Sequence, residues 1–141
     1  MPKINVNGTT LHYLDEGPAS APALVFSPSM FFDGRMFSAQ AAAFSDRYRV
    51  VRYDHRGQGE SARAPREQLD MDTLSEDAAA LIEALKLAPC TFVGNSMGGF
   101  IALRLAARRP ELLRSVVVMG TSADVEEQAE TMDGLVEALE K

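Results

Sequence analysis

The chain has 141 residues, of which 46% are apolar and 24% are charged, and its formal net charge at pH 7 is −6. A chain of this length suits one globular domain with its own core. No apolar run approaches the roughly 20 residues that a membrane span requires, so we expect no membrane segment. The start, MPKINVNGTT, lacks the apolar stretch of a secretory signal, and the single cysteine, Cys90, allows no intrachain disulfide. These features predict a cytoplasmic location.

The negative charge is concentrated near the C-terminal end. Residues 124–141 contain seven acidic residues and one basic residue, whereas residues 1–123 contain 13 of each. Because binding to phosphates needs a basic face, we expect no nucleic-acid partner. The sequence has no His/Cys cluster and no glycine-rich dinucleotide fingerprint after its first strands, so we also expect no metal and no cofactor.

The predicted elements begin with a hairpin. The segment INVNGTTLHYLDEG (4–17) predicts two short strands around Asn7-Gly8, a residue pair that adopts positive φ at low cost. After the loop PASAP (18–22), the apolar run ALVFS (23–27) is typical of a strand buried on both faces. Residues 33–46 then predict a helix, and YRVVRYD (48–54) predicts the next strand.

The second half of the chain alternates helix and strand. A Gly- and Pro-containing loop (55–67) leads to a helix that we expect to begin at Thr73, with Glu76 completing a capping box. A strand at 90–95, a helix at 97–109 and a strand at 115–120 follow. This alternation predicts an α/β fold with a mostly parallel sheet of about six strands, an antiparallel lead-in hairpin and helices on both faces. Ligands bind such sheets beyond the carboxyl ends of the strands.

The stretch FVGNSMGGF (92–100) places Ser96 between a predicted strand and a predicted helix. Gly94 and Gly98 remove side chains that would collide across a sharp turn, so the turn can present the Ser96 hydroxyl. The N–H of Met97 would lie at the helix N-terminus, where partial positive charge can hold a developing oxyanion. The alternative is a tight strand-to-helix turn that carries Ser96 incidentally.

Several segments together resemble the α/β-hydrolase family, and the resemblance covers nearly the whole chain. They are ALVFS with its following loop, YDHRGQGES, FVGNSMGG and SVVVMG, in the family's order and spacing. The chain is most similar to the esterase and 3-oxoadipate enol-lactonase branch. The resemblance implies that Ser96 is the nucleophile and that the N–H of Met97 is one of two oxyanion donors.

The resemblance also implies a second oxyanion donor from the loop after the third strand. Many members carry His-Gly there, whereas this chain has Pro28-Ser29, so Met30 takes the position of the donor. Met30, Phe31 and Phe32 would then form an apolar pocket wall suited to an acyl chain or a ring. The alternative is that these three residues belong to the core.

The sequence contains two histidines, and neither is placed as the family's catalytic base. His12 is expected on the second strand of the hairpin as a half-exposed residue. His55 lies in the DHRGQGES turn, whose role in the family is structural. A nucleophilic serine without a base is a poor nucleophile at neutral pH.

The family's base follows its last strand, and some members place the triad acid after the sixth strand, where this chain has Asp124. We therefore expect residues 1–123 to form the N-terminal part of a hydrolase core. Residues 124–141 are expected to form an acidic amphipathic helix, either a surface helix or the start of a lid or partner-binding segment. The strand SVVVMG would be an exposed apolar edge, which predicts self-association or a complementary C-terminal chain.

Three functions remain open from the sequence. The first is a serine hydrolase of esters or lactones that is incomplete in this chain, because the triad histidine and acid are absent. The second is a non-catalytic half-domain or relic that self-associates or binds apolar carbonyl compounds. The third is an assembly in which His12 or His55 of another copy completes the site.

Overall fold

The computed structural model describes residues 2–123, which form one mixed sheet flanked by helices. The strands are β1 (Lys3–Val6), β2 (Thr9–Glu16), β3 (Ala23–Ser27), β4 (Arg49–Tyr53), β5 (Cys90–Asn95) and β6 (Leu113–Met119). The α-helices are α1 (Ser38–Phe44), α2 (Met71–Ala84) and α3 (Met97–Arg108), and 3-10 turns cover Gly34–Phe37, Arg66–Gln68 and Pro110–Leu112. The expected acidic helix at 124–141 lies outside the described residues.

The strand order is β1-β2-β4-β3-β5-β6. The first three strands in this order are joined by antiparallel pairing, and the pairs β4–β3, β3–β5 and β5–β6 are parallel. The lead-in hairpin turns at Asn7-Gly8, where both residues have positive φ. The predicted fold class is therefore confirmed, and the parallel strands end together on the edge that carries the loops after β3, β4 and β5.

The core has two parts, one on each face of the sheet. Residues of α2 and α3 cover one face, and α1 with the preceding 3-10 turn covers the other. Adjacent strand residues alternate between the parts: Val25, Val51 and Phe92 lie in the first, and Phe26, Val50 and Val93 lie in the second. Burial on both faces explains why the strands read as continuous apolar runs. No helix among residues 2–123 is long and apolar enough to cross a membrane.

The prediction that Thr73 caps the N-terminus of α2 is wrong by three residues. Asp70 is the N-cap, and its side chain accepts hydrogen bonds from the Thr73 N–H at 3.0 Å and the Thr73 hydroxyl at 2.6 Å. These bonds also lower the pKa of the Asp70 carboxyl. Asp and Thr are both good cap residues. Here the Asp70 carboxylate accepts the Thr73 N–H, which has no partner within the first turn of the helix.

A buried ion pair joins the loop after β4 to α2. The Arg56 guanidinium donates to both carboxylate oxygens of Asp77, at 2.9 and 2.7 Å, and the Asn7 side chain donates to the same carboxylate at 2.8 Å. The two charged side chains are 5% and 2% exposed. Their mutual pairing offsets the cost of taking both charges out of water.

Replacement of Asp77 by alanine is expected to lower the free energy of unfolding by about 3–5 kcal/mol, because it leaves the Arg56 charge buried and unpaired. Asp72→Ala is the matched control on the same helix. It removes an exposed ion pair with Arg108 and should cost at most about 1 kcal/mol. Urea denaturation of both variants measures the difference, and equal losses would contradict the assignment of Asp77 as a structural anchor.

Candidate active site

Ser96 is the single residue between the end of β5 and the start of α3. Its backbone has φ 53° and ψ −111°, a conformation that costs a non-glycine residue about 1–3 kcal/mol. The Ser96 N–H donates to the Met119 carbonyl at 2.8 Å, and the Thr121 hydroxyl donates to the Ser96 carbonyl at 3.0 Å. The Ser96 hydroxyl makes no hydrogen bond within residues 2–123. The strained backbone is therefore held on both sides, while the hydroxyl has no partner in the described part of the chain.

Glycines allow the chain to pack closely around this turn. A Cβ atom on Gly94 would lie 2.1 Å from the Gly98 carbonyl oxygen, and one on Gly98 would lie 2.1 Å from the Ser27 carbonyl oxygen. Gly94 thus permits the turn itself, whereas Gly98 permits the helix to approach β3. The absence of a Cβ on Gly99 makes room for the Thr121 side chain, whose hydroxyl oxygen would lie 1.9 Å from such an atom.

Two backbone N–H groups, those of Met97 and Met30, have no hydrogen-bond acceptor among residues 2–123. The Met97 N–H is the first of α3, and such groups have no partner within their own helix. The Met30 N–H belongs to the β3 loop (residues 28–33) and donates to nothing in the described part of the chain. The Ser29 hydroxyl donates to the Asn95 side chain at 2.5 Å, which ties this loop to the residue before Ser96. One unpaired donor therefore lies on the residue after Ser96 in the strand-to-helix turn, which we call the elbow (residues 94–98). The other lies on a loop that is tied to the residue before Ser96.

Hydrogen bonds from the β4 loop (residues 54–61) hold the β3 loop and the residue that follows it. His55 Nε2 donates to the Pro28 carbonyl at 2.7 Å, and the Gly34 N–H donates to the Asp54 carboxylate at 2.8 Å. Asp54 also accepts the Glu60 N–H at 2.9 Å, which closes its own loop. The sequence interpretation placed the DHRGQGES turn in a structural role, but it identified none of these partners.

Phe31 and Phe32 are 56% and 57% exposed. This exposure contradicts the alternative in which both belong to the core. Met30 is half-buried and packs against the larger part of the core. The β3 loop thus presents two aromatic rings to solvent beside the elbow while its first apolar side chain points inward.

His55 is buried, with 1% of its surface exposed, and its ring packs edge-on against Tyr53 at 5.2 Å between centroids. Nε2 is bonded to Pro28, and Nδ1 is buried with no hydrogen-bond partner in the described chain. Burial lowers the pKa of His55 to about 4, because a charged ring would have no second acceptor. His55 is therefore neutral at pH 7, and its Nε2 proton is committed to the Pro28 carbonyl.

The expectation that His12 is half-exposed is wrong. It lies on β2 as predicted but is only 6% exposed. Its Nδ1 is 3.0 Å from an Asp54 carboxylate oxygen, and its Nε2 is 3.2 Å from a Glu60 carboxylate oxygen. The β4 loop folds over β2 and covers the ring, a contact that alternation along the strand cannot reveal.

The remaining predicted site residue, Asp124, lies outside the described residues. Among residues 2–123, no group of three or more His, Cys, Asp and Glu side chains is placed to hold a metal ion. The side chains that the sequence interpretation missed at the elbow are Ser29, Asn95 and Thr121. Their only sequence signal is their position next to Met30, Ser96 and the end of β6.

Comparisons with known proteins place these features in a family. Residues 22–139 match the family model described as alpha/beta hydrolase fold. The chain is 38% identical over 121 residues to 3-oxoadipate enol-lactonase 1 of Acinetobacter baylyi, covering 86% of this chain and 45% of that protein. It is 37% identical over 124 residues to 3-oxoadipate enol-lactonase 2 of the same organism, covering 88% and 46%. The chain thus spans about half the length of the curated relatives that it matches.

Solved structures of hydrolases also resemble this chain. A hydrolase from Pseudomonas aeruginosa PA01 superposes with a TM-score of 0.89 at 30% identity, covering 99% of this chain and 53% of that one. The enol-lactonase from Burkholderia xenovorans LB400 superposes with a TM-score of 0.82 at 36% identity, covering 98% and 58%. The sheet order, the serine elbow and these matches together show that the chain belongs to the α/β-hydrolase family.

Proposed function

We propose that Ser96 is the nucleophile of a hydrolase that acts on carboxylic esters or lactones through an acyl-enzyme. The observation that carries this proposal is the strained Ser96 backbone with a free hydroxyl at the N-terminus of α3. Strain that the surrounding hydrogen bonds maintain at a single residue is typical of functional positions. The enol-lactonases among the relatives favour a lactone or ester carbonyl as the group attacked.

In the proposed reaction, the Ser96 oxygen attacks the carbonyl carbon and the carbonyl oxygen becomes an oxyanion. The N–H groups of Met30 and Met97 stabilise this charge, helped by the positive end of α3. Collapse of the intermediate expels the alcohol, or opens the lactone ring, and leaves an ester on Ser96. Water then hydrolyses that ester. Phe31 and Phe32 would contact the apolar part of the substrate.

The proton that leaves Ser96 requires a base, and the two histidines of this sequence are poor candidates. His55 donates to Pro28 from inside the core, and His12 is enclosed by Asp54 and Glu60. Their burial also argues against a base supplied by a second copy. We therefore propose that the 141 residues acylate slowly, and that a histidine outside this sequence, with Asp124 as a possible acid, serves the full enzyme.

A second candidate function is a non-catalytic half-domain that associates through its sheet edge. In the described chain β6 pairs only with β5, and Val117, Val118 and Met119 are 45%, 39% and 40% exposed. Such a strand can add a partner strand through its free backbone groups. This function predicts association without acyl transfer, whereas the hydrolase predicts acyl transfer in any state of association.

Mixing the chain with excess p-nitrophenyl acetate should release p-nitrophenolate slowly, at about 10³–10⁴ above the uncatalysed rate, the level left in enzymes that lack triad residues. No fast burst should precede this release, because Ser96 has no base to take its proton. Mass spectrometry should find the acetyl group on Ser96. Ser96→Ala should abolish this acetylation, and Ser20→Ala, an exposed loop change, should not. An acetyl group elsewhere would contradict the nucleophile, and fast turnover would contradict the missing base.

Acid should destabilise the fold through His55. The folded pKa of about 4 lies below the ordinary value of 6.5, so the unfolded chain takes up the proton first. The stability that the neutral ring supplies is complete above pH 6.5 and is lost as the pH falls toward 4, by about 3 kcal/mol. His55→Gln keeps a donor for Pro28 but does not titrate in this range. In urea titrations, its free energy of unfolding should therefore fall by about 3 kcal/mol less than that of the unchanged chain between pH 6.5 and pH 4. Identical pH dependence in both proteins would contradict a buried neutral His55.

Val117→Lys should weaken self-association through β6, because the added charge opposes pairing at a sheet edge. Sedimentation velocity should show a larger fraction of monomer than in the unchanged chain. Ala106→Lys, on the exposed side of α3, is the matched control and should leave the distribution unchanged. A monomeric unchanged chain would contradict association through β6.

A further inference from the structure

The β3 loop contains a turn whose third residue has an unfavourable conformation. The Phe32 N–H donates to the Ser29 carbonyl at 3.1 Å, which closes the four-residue turn Ser29–Phe32. Phe31 has φ 68°, and Met30 is not among the residues with positive φ. This combination is the signature of a type II turn, whose third position normally holds Gly or Asn. A phenylalanine there needs an external partner.

Gln58 supplies that partner. Its side-chain oxygen accepts the Phe31 N–H at 2.8 Å. Gln58 is itself fixed in the β4 loop, where its N–H donates to the His55 carbonyl at 3.0 Å and its carbonyl accepts the Ser61 N–H at 3.1 Å. The acceptor is thus presented from a loop that is anchored independently of the turn.

The contact acts at the peptide that distinguishes the two common turn types. Type I and type II turns differ by rotation of the peptide between the second and third residues, here Met30 and Phe31. Rotation to type I would relieve the positive φ of Phe31, but it would take the Phe31 N–H away from Gln58 and turn the Met30 carbonyl toward it. The Gln58 side-chain oxygen therefore favours the type II form in two ways: it attracts the Phe31 N–H in that form, and it would repel the Met30 carbonyl in the type I form.

The other contacts between the two loops leave this choice open. The His55–Pro28 and Asp54–Gly34 hydrogen bonds hold the chain before and after the turn. Both turn forms keep their ends in the same place, so these bonds are compatible with either one. Within the described contacts, the Gln58 side chain is the group that reaches the central peptide.

We propose that Gln58 is a positioning residue, which locks the Ser29–Phe32 turn in its type II form and so fixes the backbone of Met30 beside Ser96 and the direction of the Phe31 ring. The inference rests on the proposed function, since it assumes that the Met30 N–H holds the oxyanion. Oxyanion donors are effective because they need no rearrangement during the reaction. A turn that exchanges between two forms would lose part of that advantage.

Two variants test this role. Gln58→Met keeps the length of the side chain and removes the acceptor, whereas Gln58→Glu keeps an acceptor oxygen. Gln40→Met, an exposed change on α1, is the matched control. The measurements are the rate of covalent labelling of Ser96 by diethyl p-nitrophenyl phosphate, resolved into the maximal rate and the half-saturating concentration, and the hydrogen exchange of the Phe31 amide by NMR.

Gln58→Met should lower the maximal labelling rate about tenfold, less than the 10²–10³ that removal of an oxyanion donor costs. Its half-saturating concentration should be unchanged, and its Phe31 amide should exchange faster. Gln58→Glu should label within about twofold of the unchanged chain. Normal labelling in Gln58→Met, or equal losses in both variants, would overturn the inference while leaving the proposed function standing. Unaltered hydrogen exchange of the Phe31 amide in Gln58→Met would show that Gln58 does not lock the turn. Absence of labelling at Ser96 in the unchanged chain would instead overturn the proposed function.

Discussion

A Cβ atom at Gly98 would lie 2.1 Å from the carbonyl oxygen of Ser27, so α3 can begin this close to β3 only because that residue has no side chain. Ser96, two residues before Gly98, has a φ of 53°. Its N–H donates to the Met119 carbonyl at the end of β6 and its carbonyl accepts from the Thr121 hydroxyl, so the strained residue is held in place. The close approach of α3 to β3 and these two hydrogen bonds together define the geometry of the elbow.

The loops after β3 and β4 complete the site as a pair. The β3 loop carries the Met30 N–H and the two exposed phenylalanines, and the β4 loop holds it through His55 and Asp54. A histidine used in this way cannot serve as a base, since its Nε2 proton is committed to Pro28 and burial keeps the ring neutral. The two histidines of the sequence therefore serve the fold around the proposed nucleophile, Ser96.

The strands were predictable from the sequence because burial on both faces makes each one a continuous apolar run. The Ser96 turn was predictable because its glycines stand at fixed distances along the chain. The environment of His12 was not, because the residues that cover it lie 42 and 48 positions away. The start of α2 was misplaced because Asp70 and Thr73 are both suitable caps. The Gln58–Phe31 bond was equally hidden, since nothing in either local sequence requires the other.

We propose that Ser96 and the N–H groups of Met30 and Met97 form one oxyanion site. A crystal structure of the chain after reaction with a phosphonate ester tests this proposal, since the phosphoryl oxygen stands in for the oxyanion. Phosphorus should be bonded to the Ser96 hydroxyl oxygen, with the phosphoryl oxygen about 2.7–3.1 Å from both backbone nitrogens. A phosphoryl oxygen that points to solvent, or an adduct on a residue other than Ser96, would contradict it.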